Sequence, residues 1–170
     1  ICFTIFMFFI IKPEEKTTLD DGDLFYLAET DNSPNCLKMY YFIEKYSDEY
    51  NIPKYIAYNV AYKETRYLGP FHWGYNHAQG SKAGALGPMQ IMPATSEFIN
   101  KEPIGGKKLK TDIEYNVRTS MKLLRYLHNK YKKWDIVCGV YNTGKVLVND
   151  YAMYCSNTKD YKKMWIKPQN

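Results

Sequence analysis

The stretch IPKYIAYNVAYKETRY, residues 52–67, decides how this chain is read. It has the pattern of a helix. Pro53 suits a first turn, where its missing N–H is not needed, and Gly69-Pro70 just beyond is a stop signal. Ile56, Val60 and Glu64 recur at i, i+4 and i+8, flanked by Tyr55 and Ala57. A carboxylate therefore ends an apolar stripe expected to face the interior. Poor solvation there disfavours the charged form and raises its pKa. A carboxyl still protonated near neutral pH is what general acid catalysis requires. Two plainer readings stand beside this one: Glu64 turns its head to water, or it pairs with Lys63 or Arg66.

Length and composition frame that helix. At 170 residues the chain is one domain, long enough to bury a substantial core. Its 17 Tyr and 3 Trp suit a core and equally a carbohydrate cleft, where flat rings stack on sugars. The net charge of +5 is spread over short clusters at Lys107-Lys108 with Lys110, Lys132-Lys133 and Lys162-Lys163. These read as solvated faces rather than a nucleic-acid surface. A mild positive charge also favours contact with an anionic cell-wall polymer.

Working outward, residues 1–12 open with the apolar run ICFTIFMFFII. It has the length of a signal-peptide core and falls short of a membrane span of about 20 residues. The expectation is an export signal or the remainder of an N-terminal membrane anchor. Residues 13–32 are mostly acidic and polar and read as a linker, with Leu24 to Leu27 able to dock one apolar turn. Residues 33–155 form the domain and residues 156–170 a polar, basic tail expected to be peripheral. Ser33-Pro34 should cap a helix to about Tyr50, striped by Leu37, Tyr40, Ile43, Tyr46 and Tyr50, and Asn51 should break it. Gly69, Gly74, Gly80, Gly84 and Gly87 mark residues 68–87 as a loop, in which Trp73 or Tyr75 could line a sugar cleft. His72 and His77 are too few and too loosely spaced for a metal site.

Further along, Pro88 to Met92 reads as a short extended run, and Pro93 opens a brief helix. Gly105-Gly106 reads as another loop. Asp112 should cap a helix to about Tyr131, with Ile113, Val117, Met121, Leu124 and Leu127 inward. Asp135 should cap a further helix ended by Thr143-Gly144. Strand alternation is absent, so the expected fold is mainly α, with glycine-rich loops around a cleft. Of the four cysteines, Cys138 and Cys155 are the nearest pair available for a disulfide, and the spacings match no zinc motif.

Three ordered elements now add a family resemblance: Glu64 followed by Thr65, then Ser81-Lys82-Ala83-Gly84-Ala85-Leu86-Gly87-Pro88-Met89-Gln90-Ile91-Met92-Pro93-Ala94-Thr95, then Tyr141-Asn142-Thr143-Gly144. Asn116 with Tyr126-Leu127 gives a looser fourth between them. Together they resemble the lytic transglycosylases, most of all the soluble-lytic-transglycosylase branch that shares its core with goose-type lysozyme. The resemblance covers about residues 40–150. Thr65 stands where the family has serine, Pro88 where it has leucine, Ser120 near a usual glycine, and Val140 where alanine precedes the tyrosine. The loop after Glu64 is also longer than is common.

This resemblance implies a lysozyme-like helical fold around a glycan cleft. It also implies cleavage of peptidoglycan between N-acetylmuramic acid and N-acetylglucosamine. Glu64 would protonate the leaving oxygen, the substrate's own N-acetyl group would stabilise the anomeric carbon, and Glu64 would then take the proton of the muramyl 6-hydroxyl. Such a single-acid route needs no second carboxylate, and Asp112, Glu114 and Glu97 read as helix-end residues. Carried over by position, Ser81, Gln90, Met92, Tyr141 and Asn142 would bind substrate. Gln90 and Met92 have a plainer reading as a backbone-bonded amide and core filler, Tyr141 as a core tyrosine, and Asn142 as a tether of the helix end. No cofactor or metal is implied. The expected partners are peptidoglycan glycan strands, together with secretion, conjugation or phage assembly proteins. The expected location is outside the cytoplasm, in the periplasm, cell envelope or medium. A lysozyme-type hydrolase and a non-catalytic wall-binding component are the alternatives.

Overall fold

Helix α3, Lys54–Thr65, carries the foreseen stripe, with Ile56 and Val60 fully buried. Pro53 stands one position earlier than expected, as the N-cap. The computed structural model describes residues 21–28 and 32–167. The expected export signal and the first part of the linker lie outside the described residues. Helix α1, Asp21–Ala28, turns Leu24 and Ala28 into the core against helix α2, Asn35–Glu49. Ser33 does not cap α2. Pro34 holds the cap position, and the Ser33 hydroxyl donates to the Leu27 carbonyl, joining α2 to α1. Asn51, in left-handed backbone (φ 51), turns the chain from α2 into α3.

Helix α4, Pro93–Asn100, begins at its proline as the sequence indicates. Gly105-Gly106 is more than a loop, since Gly105 is the N-cap of the short helix α5, Gly106–Thr111. Asp112 then accepts the Tyr115 N–H at 2.9 Å and opens helix α6, Ile113–Tyr131. Its residues Ile113, Val117, Met121, Leu124 and Leu127 are all buried, and it packs on α2 and on helix α7, Trp134–Thr143. Asp135 sits inside the first turn of α7 rather than capping it, and its carboxylate accepts the next N–H, that of Ile136. Gly144 ends α7 in left-handed backbone.

Helix α8, Asp150–Asn157, was not foreseen. Asn149 caps it by accepting the Ala152 N–H at 2.9 Å, and Tyr151, Ala152 and Cys155 face inward. α7 and the segment leading into α8 meet so closely that a Cβ on Gly139 would stand 1.7 Å from the Leu147 carbonyl oxygen. Only glycine fits there. Cys138 and Cys155, the candidate disulfide pair, are buried on these two helices as free thiols.

The tail also departs from expectation. After a 3-10 turn at Tyr161–Met164, Tyr161 stacks on Tyr58 at 4.8 Å, and Trp165 meets Tyr58 edge-on at 5.1 Å. The indole fills the space beside Gly69, where a Cβ would lie 2.5 Å from Trp165 Cγ. The Ile166 N–H then donates to the Leu68 carbonyl at 2.9 Å. Aromatic rings set among lysines made this segment look peripheral; in the structure those rings close one wall of the core. Among the described residues there is no strand, only isolated bridges from Leu86 to Gly80 and Ile91. No described helix is long and apolar enough to cross a membrane.

Candidate active site

Glu64 lies in the last turn of α3, half-buried, and its Oε1 accepts the Tyr151 hydroxyl at 2.6 Å. Burial pushes this carboxyl up to about 7, while the Tyr151 hydroxyl and the Lys63 ammonium pull the other way. The ion-pair reading fails: among the described residues neither Lys63 nor Arg66 forms a salt bridge with it. Tyr151 keeps its own proton, because burial and the neighbouring Glu64 charge raise its pKa well above the usual value. The phenol is therefore a fixed donor to Oε1, and Oε2 is left to carry and deliver a proton. After delivery, the same hydrogen bond stabilises the carboxylate, which can then act as a base.

The next residue ties the helix to the loop opposite. Thr65 Oγ1 donates to the Pro88 carbonyl at 2.7 Å and lies 2.7 Å from the Tyr75 hydroxyl, which is left to donate to it. The hydroxyl shared by serine and threonine thus has a structural use here. Gln79 adds a bond from its amide to the Thr65 carbonyl at 3.3 Å.

A single amide, Asn116 on α6, fixes the underside of the 80–92 loop. Its Oδ1 accepts the Met89 N–H, and its Nδ2 donates to the Leu86 and Leu109 carbonyls, each at 2.9 Å. Gly87 is required at that junction. Its φ is +77, and a Cβ would stand 2.4 Å from Asn116 Nδ2 and 2.5 Å from the Leu109 oxygen. Residues 88–92 are accordingly a clamped turn and not the extended run read from their apolar character.

The residues carried over by position fall around this frame. Tyr141, half-buried on α7, donates its hydroxyl to the Met89 carbonyl at 2.8 Å, and burial, with the Glu64 charge, holds it protonated. It meets the acid through the field rather than a direct bond. Gln90 adopts left-handed backbone (φ 51) and donates its amide to Gly87 at 2.8 Å, leaving its Oε1 as an acceptor. Ser81 is exposed, and its Oγ accepts the Ala85 N–H at 3.0 Å. Met92 is 40% exposed and so is no core filler. Asn142 accepts from the Asn149 side chain at 3.1 Å, tethering the end of α7 to the start of α8. None of Ser81, Gln90, Met92 and Asn142 bonds Glu64 itself.

In the loop, Tyr75 is buried against Tyr67 and packs rather than lines a cleft, whereas Trp73 is 60% exposed beside Phe71. The two histidines serve separate partners: His72 Nδ1 accepts the Leu68 N–H, and His77 Nε2 donates to the Thr111 carbonyl. A cavity of about 700 Å³ lies between α2, His77 and the start of α6, and Glu64 does not line it. Tyr151 is the site residue that the sequence reading missed. The signal was present as an Asn149 cap followed by Tyr151 and Cys155 at i and i+4.

Comparison with known proteins bears on the fold. No curated protein sequence matches the chain. Among solved structures, SLT70, the 70-kDa soluble lytic transglycosylase of Escherichia coli, superposes with a TM-score of 0.53 at 20% identity. The 70-kDa soluble lytic transglycosylase in complex with bulgecin A gives the same values. An inactive mutant of the lytic transglycosylase Slt from Pseudomonas aeruginosa gives 0.51 at 14% identity. Each alignment covers 72% of this chain and 21% of the other, so the chain spans about a fifth of the length of these proteins. The likeness establishes a shared helical, lysozyme-like fold. The family profile described as Transglycosylase SLT domain matches residues 41–164, from the middle of α2 through the tail turn, and the chain belongs to that family.

Proposed function

We propose that this domain is a peptidoglycan lytic transglycosylase. It would cleave the β-1,4 bond between N-acetylmuramic acid and N-acetylglucosamine and leave a 1,6-anhydromuramyl end, with Glu64 as the single acid and base. The observation that carries this reading is one carboxyl held near pKa 7 by burial and gripped at one oxygen by a phenol. Glu64 Oε2 gives its proton to the glycosidic oxygen as its bond to the anomeric carbon breaks and the substrate's N-acetyl oxygen bonds that carbon; the carboxylate then takes the proton of the 6-hydroxyl as that oxygen displaces the N-acetyl oxygen. Two of the other carboxylates weighed are committed elsewhere: Asp112 caps α6 and pairs with Lys108, and Glu114 accepts from Tyr46.

Around the acid, Gln90 Oε1 and the lone pairs of Tyr141 would accept substrate N–H or O–H groups, and exposed Met92 would pack on a sugar face. Ser81 and Asn142 would contact the strand while bracing their own turns. Action on wall glycan places the enzyme outside the cytoplasm, in the periplasm or envelope, alongside secretion, conjugation or phage assembly partners. The lysozyme reading shares the same acid and differs only in using water for the 6-hydroxyl.

The test is mass spectrometry of fragments released from purified peptidoglycan by the wild type and by Glu64→Gln. Anhydromuramyl ends from the wild type alone support the proposal. Reducing ends that incorporate labelled water would make the protein a hydrolase, and wall binding without any release would make it a binding component.

A further inference from the structure

Two cations flank the acid in sequence, and among the described residues neither forms a salt bridge with a carboxylate. Lys63 extends its Nζ over the rings of Tyr151, at 5.8 Å from the centroid, and Tyr154, at 5.2 Å. Arg66 lays its guanidinium over Tyr62 at 4.9 Å, and the Tyr62 and Tyr154 rings meet at 5.7 Å. The result is one continuous row along the junction of α3 and α8: Arg66, Tyr62, Tyr154, Lys63, Tyr151, Glu64. Other lysines also rest on rings, Lys159 on Tyr55 at 3.3 Å and Lys101 on Phe98 at 4.3 Å, and this row differs from them in ending on the acid.

A cation over a ring face is attracted by the ring quadrupole yet keeps most of its donors. The guanidinium keeps a planar fork suited to a carboxylate. Holding Arg66 here also has a cost, since it occupies the left-handed position that ends α3 (φ 58), where glycine is the usual residue. The helix dipole favours a cation at that end and offsets part of the strain. It does not account for the alignment of two cations on three rings leading to the acid.

We infer that Lys63 and Arg66, held over Tyr62, Tyr151 and Tyr154, form a carboxylate-binding ledge that takes a free carboxylate from the peptide borne by the glycan strand being cut. This rests on the glycan-cleaving function proposed above and adds a preference for strands that carry charged peptides. Lys63 and Arg66 are binding residues in this scheme, and the bond-breaking step remains with Glu64.

The experiment uses the full chain with Glu64→Gln, which cannot turn over its ligand. Calorimetry compares two probes: a fragment of two disaccharide units bearing tetrapeptides with free carboxylates, and the same fragment with those carboxylates converted to methylamides. Amidation should weaken binding about fivefold, and less as salt is raised. With Lys63→Met and Arg66→Met added, the two probes should bind alike, both as weakly as the amidated probe binds the parent. Lys63→Arg alone should keep the discrimination, which separates charge from packing. The ledge is overturned if amidation weakens both proteins equally, if it weakens neither, or if neither probe binds. Release of anhydromuramyl ends from strands stripped of peptide tests the catalytic reading separately, because such strands offer the ledge no carboxylate.

Discussion

Helix α3 carries two tyrosine clusters one turn apart, and they are built on different rules. Around Tyr58, rings meet rings: Tyr161 and Tyr67 stack on it, Trp165 meets it edge-on, and its hydroxyl is spent inside on Glu44 at 2.7 Å. Around Tyr62, rings meet cations, and the row ends on a hydroxyl bonded to an acid. Both clusters use the same amphipathic side chain, an apolar body with a polar tip. In the first the polar tips of Tyr58 and Tyr67 are spent on Glu44 and the Cys36 carbonyl; in the second the tip of Tyr154 meets the Met164 sulfur and that of Tyr151 meets Glu64. The comparison teaches that stability and function can be assigned to neighbouring turns of one helix.

The sharpest way to break that division is Glu64→Gln, which should lower product release about a thousandfold while the fold persists. The same variant has a stability signature. The Glu64 carboxyl is raised in the folded state from an ordinary 4.5 to about 7, so its burial penalty is absent below the lower value, grows between them and is complete above the upper. Glutamine escapes it. Glu64→Gln should therefore unfold at higher denaturant than the wild type at pH 8, by about 1–3 kcal/mol, and match it at pH 4.

Tyr58→Ala attacks the other cluster and should cost about 3–4 kcal/mol in denaturant unfolding. Residual folded protein should give an unchanged pH profile, whereas any shift would mean that the two clusters communicate. Gly87→Ala is next, at about 2 kcal/mol, because the added methyl meets Asn116 and the Leu109 carbonyl in a backbone conformation that favours glycine. It should also lower activity by loosening the loop that bears Gln90. Tyr151→Phe should have the smallest effect, about a tenfold loss in kcat with near-normal unfolding. Losing that donor disfavours the carboxylate, so the alkaline limb of the pH profile should move to higher pH. An unchanged limb would remove Tyr151 from the site.

Much of this was legible in the sequence where chemistry and periodicity coincide. The stripe of α3, the Asp112 cap and the inward row of α6 follow from spacing alone, and Glu64 falls on that stripe. What escaped notice had its signal covered by another. Val146, Leu147 and Val148 look like core residues but form an exposed tip, so the helix behind them, with Tyr151, was passed over. Tyr161 and Trp165 were hidden by the lysines around them. The 88–92 run looked extended because a turn clamped by a distant amide leaves no local pattern; Asn116 lies 27 positions from Met89. For the same reason, the resemblance could carry Tyr141 over as a substrate residue but could not show that its hydroxyl goes to a backbone carbonyl.

The bond between Ile166 and Leu68 has a practical meaning for anyone who handles this protein. A clone trimmed at residue 155 would lack the Trp165 indole that fills the hollow beside Gly69, and should be recovered as an insoluble or protease-sensitive product. Ile166 itself stands beside Leu68, at the start of the loop carrying Phe71 and Trp73.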